Sequence, residues 1–231
     1  MVTQYPQYVT AFSVGKSYEN RDIKGVKVNI GGGEKKVIVF EATIHSREWI
    51  STATTTWMLN ELLTSQDPEV QMLARTYEWI VLPVTNPDGY HYTWTRDRSW
   101  RKTRKPSNAL CFGADPNRNW DNHFNEGGSS SNPCSDLFAG SAPFSEVETR
   151  QLSDYLKTVP RLTGYFAFHA YGQMMMTPYG WTTQLPPNYQ QLFEIGQKGV
   201  DAIRAISGTN YRLGSIANVI CKLDLILLKF L

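Results

Sequence analysis

The sequence predicts an α/β fold, a sheet with helices on both faces. Three observations predict it. Apolar, β-branched runs alternate along the chain with stretches of helical length. One of those runs, residues 36–44, is apolar along most of its length and follows Gly31-Gly32-Gly33, so it reads as a buried strand. The chain has 231 residues with no repeat or linker-like stretch, enough for one sizeable core.

In chain order, residues 25–30 and 36–44 are the first predicted strands. Residues 51–63 and 67–77 are helical in length and composition, and residues 79–84 form a third strand. Asn86-Pro87-Asp88-Gly89-Tyr90 reads as a turn cluster. Residues 97–144, rich in Asn, Ser, Gly and Pro, read as loops; loops that long in a compact domain are usually functional or disordered. A helix over 145–159 starts with Ser145 as cap and Glu148 three residues on, the spacing of a capping box. Strand 164–169, helix 188–207 and strand 211–216 follow. One domain over 1–220 and an apolar tail over 221–231 are expected.

The chemistry centres on His45-Ser46-Arg47-Glu48 and a distant second histidine, His169. Two imidazoles and one carboxylate form a known catalytic zinc set, which leaves the fourth position of tetrahedral zinc open. The first pair stands where a strand ends and a helix begins, the usual place for sites on open α/β sheets. A His-x-x-Glu pair alone also fits a surface turn, so its company matters. Trp100-Arg101-Lys102-Thr103-Arg104 and Asp115-Pro116-Asn117-Arg118-Asn119-Trp120 offer guanidinium and amide groups suited to a peptide carboxylate. A further arginine near the metal would polarise the scissile carbonyl and stabilise its oxyanion. His91 and His123 read as surface or hydrogen-bonding histidines rather than ligands.

The segments HSREWI, VTNPDGY, WRKTR, DPNRNW, PFSEVET and FHAYGQ, matching in order over nearly the whole chain, resemble the zinc metallocarboxypeptidases of the A and B type. The resemblance implies a mixed, twisted sheet of eight strands, here with the C-terminal elements missing. It implies one Zn2+ per chain held by His45, Glu48 and His169, and carbonyl polarisation by Arg104. Asn117 and Arg118 would bind the C-terminal carboxylate, Arg47 and Tyr171 would line neighbouring subsites, and Asp115 would orient the imidazole of His45. It also implies a Cys111–Cys134 disulfide in a secreted protein, where the cysteine count alone leaves a bridge and two free thiols both open.

The match stops near Cys221, where the family carries a mobile tyrosine, and the general-base glutamate would fall beyond Leu231. Met1 to Pro6 align inside the first helix of the family's catalytic domain, and no secretory signal stands at Met1, so the chain as written is not expected to be exported. A chain truncated at both ends is therefore expected, with impaired turnover, since general acid–base catalysis contributes about 10²- to 10⁴-fold.

Net charge of +2 gives no indication of nucleic acid, and the basic run 96–105 fits a peptide site better than a phosphate patch. The apolar tail is far shorter than the ~20 residues of a membrane span. A monomer acting on peptide or protein C-termini is expected. A zinc exopeptidase is the leading function. The alternatives are an inactive zinc-containing module that binds peptide C-termini, and a zinc amidohydrolase of small acylated amino acids. Gly180 and Ile216 match pocket positions and lean toward apolar C-terminal side chains.

Overall fold

A computed structural model describes residues 1–220. Cys221 and the tail expectation for 221–231 lie outside the described residues. The chain divides into two compact units, residues 1–125 with 129–170, and residues 126–128 with those from 171 on.

The first unit holds strands β1 (Val9–Lys16), β2 (Asp22–Val28), β3 (Lys36–Ala42), β4 (Tyr77–Leu82) and β5 (Leu162–Phe168). They form one mixed sheet in the order β1-β2-β4-β3-β5. The β1–β2 and β2–β4 pairs are antiparallel, whereas β3 runs parallel to both β4 and β5. Strand β3, between β4 and β5, is the most deeply covered, as its apolar run requires, with Val39 and Ala42 fully buried. Side chains alternate across it. Phe40, with Trp79 and Val81 of β4, packs under α1 (Trp49–Thr64) through Leu59. Val37 and Val39, with Ile80 and Leu82, pack on the other face against Leu152 of α4 (Val147–Thr158). Phe40 makes edge contacts with Trp79, Phe166 and Phe168, which tie the two parallel pairings together.

The remaining helices of this unit are α2 (Pro68–Thr76) and α3 (Pro87–Thr95). Helix α3 occupies what the sequence suggested was a turn. Asn86 and Pro87 serve equally as a helix start: the Gly89 N–H donates to the Asn86 side chain at 3.0 Å, and proline stands in the first turn. Strand β1 was not foreseen, because half its positions are exposed and its register shifts between Ser13 and Gly15. Residues 1–8 are turns, not helix.

The expected capping box of α4 does not form. Glu146 is the N-cap without a side-chain bond of its own. Asn119, far earlier in the chain, supplies the cap: its Oδ1 accepts from the Glu146 N–H at 3.0 Å and the Thr149 hydroxyl at 2.8 Å. Glu148 turns away to accept from the Tyr18 N–H at 2.9 Å, and its other oxygen is buried without a partner. Burial pushes the Glu148 carboxyl up to about 7; the Tyr18 bond opposes this, and the charges of Asp88 and Glu146 add to it. Between pH 4.5 and 7 the folded chain keeps a proton there that the unfolded chain has released. This contribution to stability is therefore fully present below about pH 4.5 and is lost as pH rises through about 7. It amounts to about 3 kcal/mol at the usual 1.36 kcal/mol per unit. Urea titrations at pH 5 and pH 8 should show that slope, and Glu148→Gln should flatten it; an unchanged slope in the variant would refute the assignment.

The second unit contains the parallel pair β6 (Met174–Thr177) and β7 (Arg212–Ser215), with α5 (Tyr189–Ser207) and the short α6 (Ile216–Ile220). Gly196 of α5 lies against Leu213 and Met175, so the helix covers this pair. Three consecutive methionines fit helix as well as strand, so β6 left little signal in the sequence.

Candidate metal centre

The parallel strands β3 and β5 end side by side, with Ala42 opposite Phe168. Each strand is then followed by a histidine at the same end of the sheet, His45 three residues after β3 and His169 directly after β5. Glu48 is the N-cap residue of α1, but its carboxylate does not cap the helix. It lies between the two rings instead, and the positive end of the helix favours its charge there. Glu48 Oε1 is 2.9 Å from His45 Nδ1, and Oε2 is 3.0 Å from His169 Nδ1. The two Nδ1 atoms are 3.1 Å apart. The Ala170 N–H donates to Glu48 Oε2 at 3.1 Å. Among the described residues, this is the group of His, Cys, Asp and Glu side chains whose donor atoms converge, all within 4.8 Å.

Asp115 fixes the tautomer. It is fully buried, and its Oδ1 lies 3.0 Å from His45 Nε2. Burial alone would raise its pKa, but the hydrogen bond to His45 and the nearby positive charges hold it well below the usual carboxylate range. An ionised carboxylate only accepts, so Nε2 carries a proton and Nδ1 is the ring atom that faces Glu48 and His169. Glu48 is likewise lowered, to about 2: burial opposes the shift, and the bonds to His169 and His45 outweigh it. Two ring nitrogens and the two oxygens of one carboxylate, in successive contacts of about 3 Å, need shared protons or a cation between them. Two imidazoles and a carboxylate are zinc donors, so the set fits one zinc ion.

Arg101 completes this centre. Its Nε and Nη2 donate to Asp115 Oδ2 at 3.1 and 2.9 Å, and its Nη1 lies 3.7 Å from Glu48 Oε1. Arg104, the arginine expected to polarise a carbonyl, is placed elsewhere. Its guanidinium carbon lies 3.7, 4.5 and 4.8 Å from the ring centroids of Tyr92, Trp100 and Phe112, and its Nε is 3.9 Å from Glu19 Oε1. The rings hold the Arg104 cation by its π faces, whereas Arg101 has a buried carboxylate to dock on. The sequence shows two arginines three residues apart, but not which one meets rings and which meets Asp115.

The other expected site residues are distributed as follows. Asp115 and Arg118 form one tight turn, in which the Arg118 N–H donates to Asp115 O at 2.9 Å and the Asn117 N–H to Asp115 Oδ1 at 2.9 Å. Asn117 is exposed, directly beyond the carboxylate that holds His45. Arg47 donates to Ser99 O at 3.1 Å and pairs with Asp136 at 3.2 Å. Tyr171 is exposed and belongs to the second unit. Cys111 and Cys134 are bonded, with Cα atoms 5.1 Å apart. His91 contacts Arg21 at 3.2 Å, consistent with a hydrogen-bonding rather than a ligand role. Glu41 is buried on β3, where it accepts from the Thr85 hydroxyl at 2.6 Å; burial raises its pKa. No helix among the described residues is long and apolar enough to cross a membrane.

Comparison with known proteins places this arrangement. A family model described as zinc carboxypeptidase matches residues 1–224. A zinc carboxypeptidase of Simulium vittatum is 48% identical over 222 residues, covering 95% of this chain and 73% of that protein. Zinc carboxypeptidase A 1 of Anopheles gambiae is 46% identical over 221 residues, and there the chain spans 51% of the relative's length. The crystal structure of carboxypeptidase A from Helicoverpa armigera superposes with a TM-score of 0.86 at 34% identity, over 94% of this chain and 55% of that one.

Proposed function

This chain belongs to the zinc carboxypeptidase family, and on that premise we propose that it acts as a zinc exopeptidase on peptide C-termini. The observation that carries the proposal is the convergence of His45, Glu48 and His169 beside Arg101 and the Asp115–Arg118 turn. The three ligands would hold one zinc ion, which supplies Lewis-acid polarisation of the scissile carbonyl. Asp115 keeps the proton on His45 Nε2 and so presents the Nδ1 lone pair to the metal. Arg101, anchored by Asp115 along one edge, keeps Nη1 on the cluster side to meet negative charge developing on the carbonyl oxygen. Asn117 and Arg118 would bind the terminal carboxylate, with Arg47 lining a further subsite. The Cys111–Cys134 bridge supports secretion.

Proton transfer sets the rate in this proposal. Among the described residues, the carboxylates gathered at the centre are all engaged: Glu48 by both histidines, Asp115 by His45 and Arg101, and Glu41 by Thr85. We therefore expect slow cleavage by the chain as it stands. The same observation favours a second reading, a zinc-loaded module that binds peptide C-termini without cleaving them.

The test is hydrolysis of dipeptides and longer peptides by the zinc-loaded chain, alongside binding of the same peptides and of their C-terminal amides. Chelator-sensitive release of the last residue supports the exopeptidase. Binding that needs a free carboxylate, with no release, supports the module. Equal binding of acids and amides would defeat both.

A further inference from the structure

Two loops meet at the metal centre. Residues 43–48 carry His45 and Glu48, and residues 100–104 carry Arg101. They touch through Ser46, whose N–H donates to Arg101 O at 3.2 Å and whose hydroxyl donates to Trp100 O at 2.7 Å. A third segment is buried between them. The Asn86 side chain is 0% exposed, and its Nδ2 donates to Ile44 O and to Lys102 O, each at 3.1 Å. These carbonyls belong to the residue just before His45 and the residue just after Arg101. Its Oδ1 accepts from the Gly89 N–H at 3.0 Å, and its own backbone N–H donates to Thr43 O at 3.2 Å. Both amide hydrogens and the amide oxygen are therefore engaged. Thr43, a β-branched residue held at φ 52°, is a conformation that survives only when its surroundings fix it. The joint is also tight: a Cβ on Gly89 would stand 2.7 Å from Lys102 O, 2.7 Å from Asn86 Nδ2 and 2.8 Å from Ser46 Cβ.

We infer that Asn86 is a positioning residue whose amide fixes the arginine loop against the metal-ligand loop and so sets where Arg101 stands relative to Glu48. The clamp is a matter of geometry; its effect on turnover rests on the zinc exopeptidase reading. Aspartate at this position is nearly isosteric and keeps the oxygen that caps α3. It loses both donors, however, and sets a carboxylate against two buried carbonyl oxygens, which must separate. Displacements of about 1 Å around reacting groups cost on the order of 10²-fold in rate.

The experiment uses the full chain carrying Asn86→Asp, and separately Gly89→Ala, which keeps the amide group but presses a methyl on it, on Lys102 O and on Ser46. Zinc affinity is read by chelator competition, ligand geometry by the visible spectrum of the cobalt(II)-loaded protein, and turnover by kcat and KM at a temperature well below melting. Each variant is expected to keep one metal per chain, to bind it about 10- to 100-fold more weakly and to show an altered cobalt spectrum. Its kcat should fall about 100-fold, while KM stays within about threefold because Asn117 and Arg118 sit on another segment. Unchanged affinity, spectrum and kcat with only a lower melting temperature would reduce Asn86 to a helix cap and overturn the inference. If Asn86→Asp does not fold, Gly89→Ala decides by the same readouts. If the unaltered chain binds zinc but cleaves nothing, the exopeptidase reading fails, and affinity and spectrum still judge Asn86.

Discussion

Replacing His169 with alanine is expected to remove stoichiometric zinc binding while leaving the fold intact. The ligand atoms of the three residues lie within 4.8 Å of one another, so two ligands remain after the change. Loss of a partner that merely orients a ligand costs about 10- to 100-fold in metal affinity, and loss of the ligand itself should exceed 100-fold. His169 is the better probe of the two histidines because its side chain is 31% exposed and follows the last residue of β5. His45 is buried and is the partner of Asp115, so removing it would also leave a buried carboxylate short of a donor. Zinc content after dialysis against a weak chelator, read beside the melting temperature, checks the prediction. A variant that still carries one tightly held zinc would show that the ligand set is wrong.

Arg101→Ala is expected to lower kcat by about 10²- to 10³-fold, the usual effect of removing one donor to a developing oxyanion. Affinity for a phosphonate peptide that mimics the tetrahedral intermediate should fall in parallel, and KM should move little. Arg101→Lys should recover only part of this, since an ammonium cannot span Asp115 with one edge and reach past it with another. Arg104→Ala gives the contrasting result. It empties the space between Tyr92, Trp100 and Phe112, so it should lower the melting temperature more than it lowers kcat at temperatures where the chain is folded. Reversal of the two outcomes, with Arg104→Ala inactive and Arg101→Ala active, would return the role to Arg104.

The contrast between these arginines shows what the sequence discloses and what it withholds. Long apolar strands are legible because β3 is buried on both faces and has to look so; helix α5 is legible through its length. His45, Glu48 and His169 are legible because strand ends and a ligand-type pattern coincide there, and the structure brings the three together. The features that were missed depend on partners distant in sequence. Asn86 and Pro87 are signals for both a turn and a helix start, and only packing against Ile44 and Lys102 selects the helix. Ser145 and Glu148 have the spacing of a self-made cap, but Asn119 outcompetes them. Tyr92 and Phe112, which claim Arg104, lie on opposite sides of it in the chain, and no local pattern marks them as its neighbours.

The borrowed cap on α4 has a consequence for how the chain folds. Asn119 Nδ2 also donates to Ala139 O at 2.7 Å and to the Ser145 hydroxyl at 2.9 Å, so one amide closes the start of a helix and gathers the loop that begins at Asp115. The N-cap N–H of helix α4 finds its side-chain acceptor in a separate part of the chain and not in its own first turn. The segment that aims the histidine and the segment that supports the sheet's far face are thus held by one shared side chain. Transient opening of that helix end is expected to loosen the Asp115 loop with it, so amide hydrogen exchange at the start of α4 and around Asp115 should proceed at matched rates.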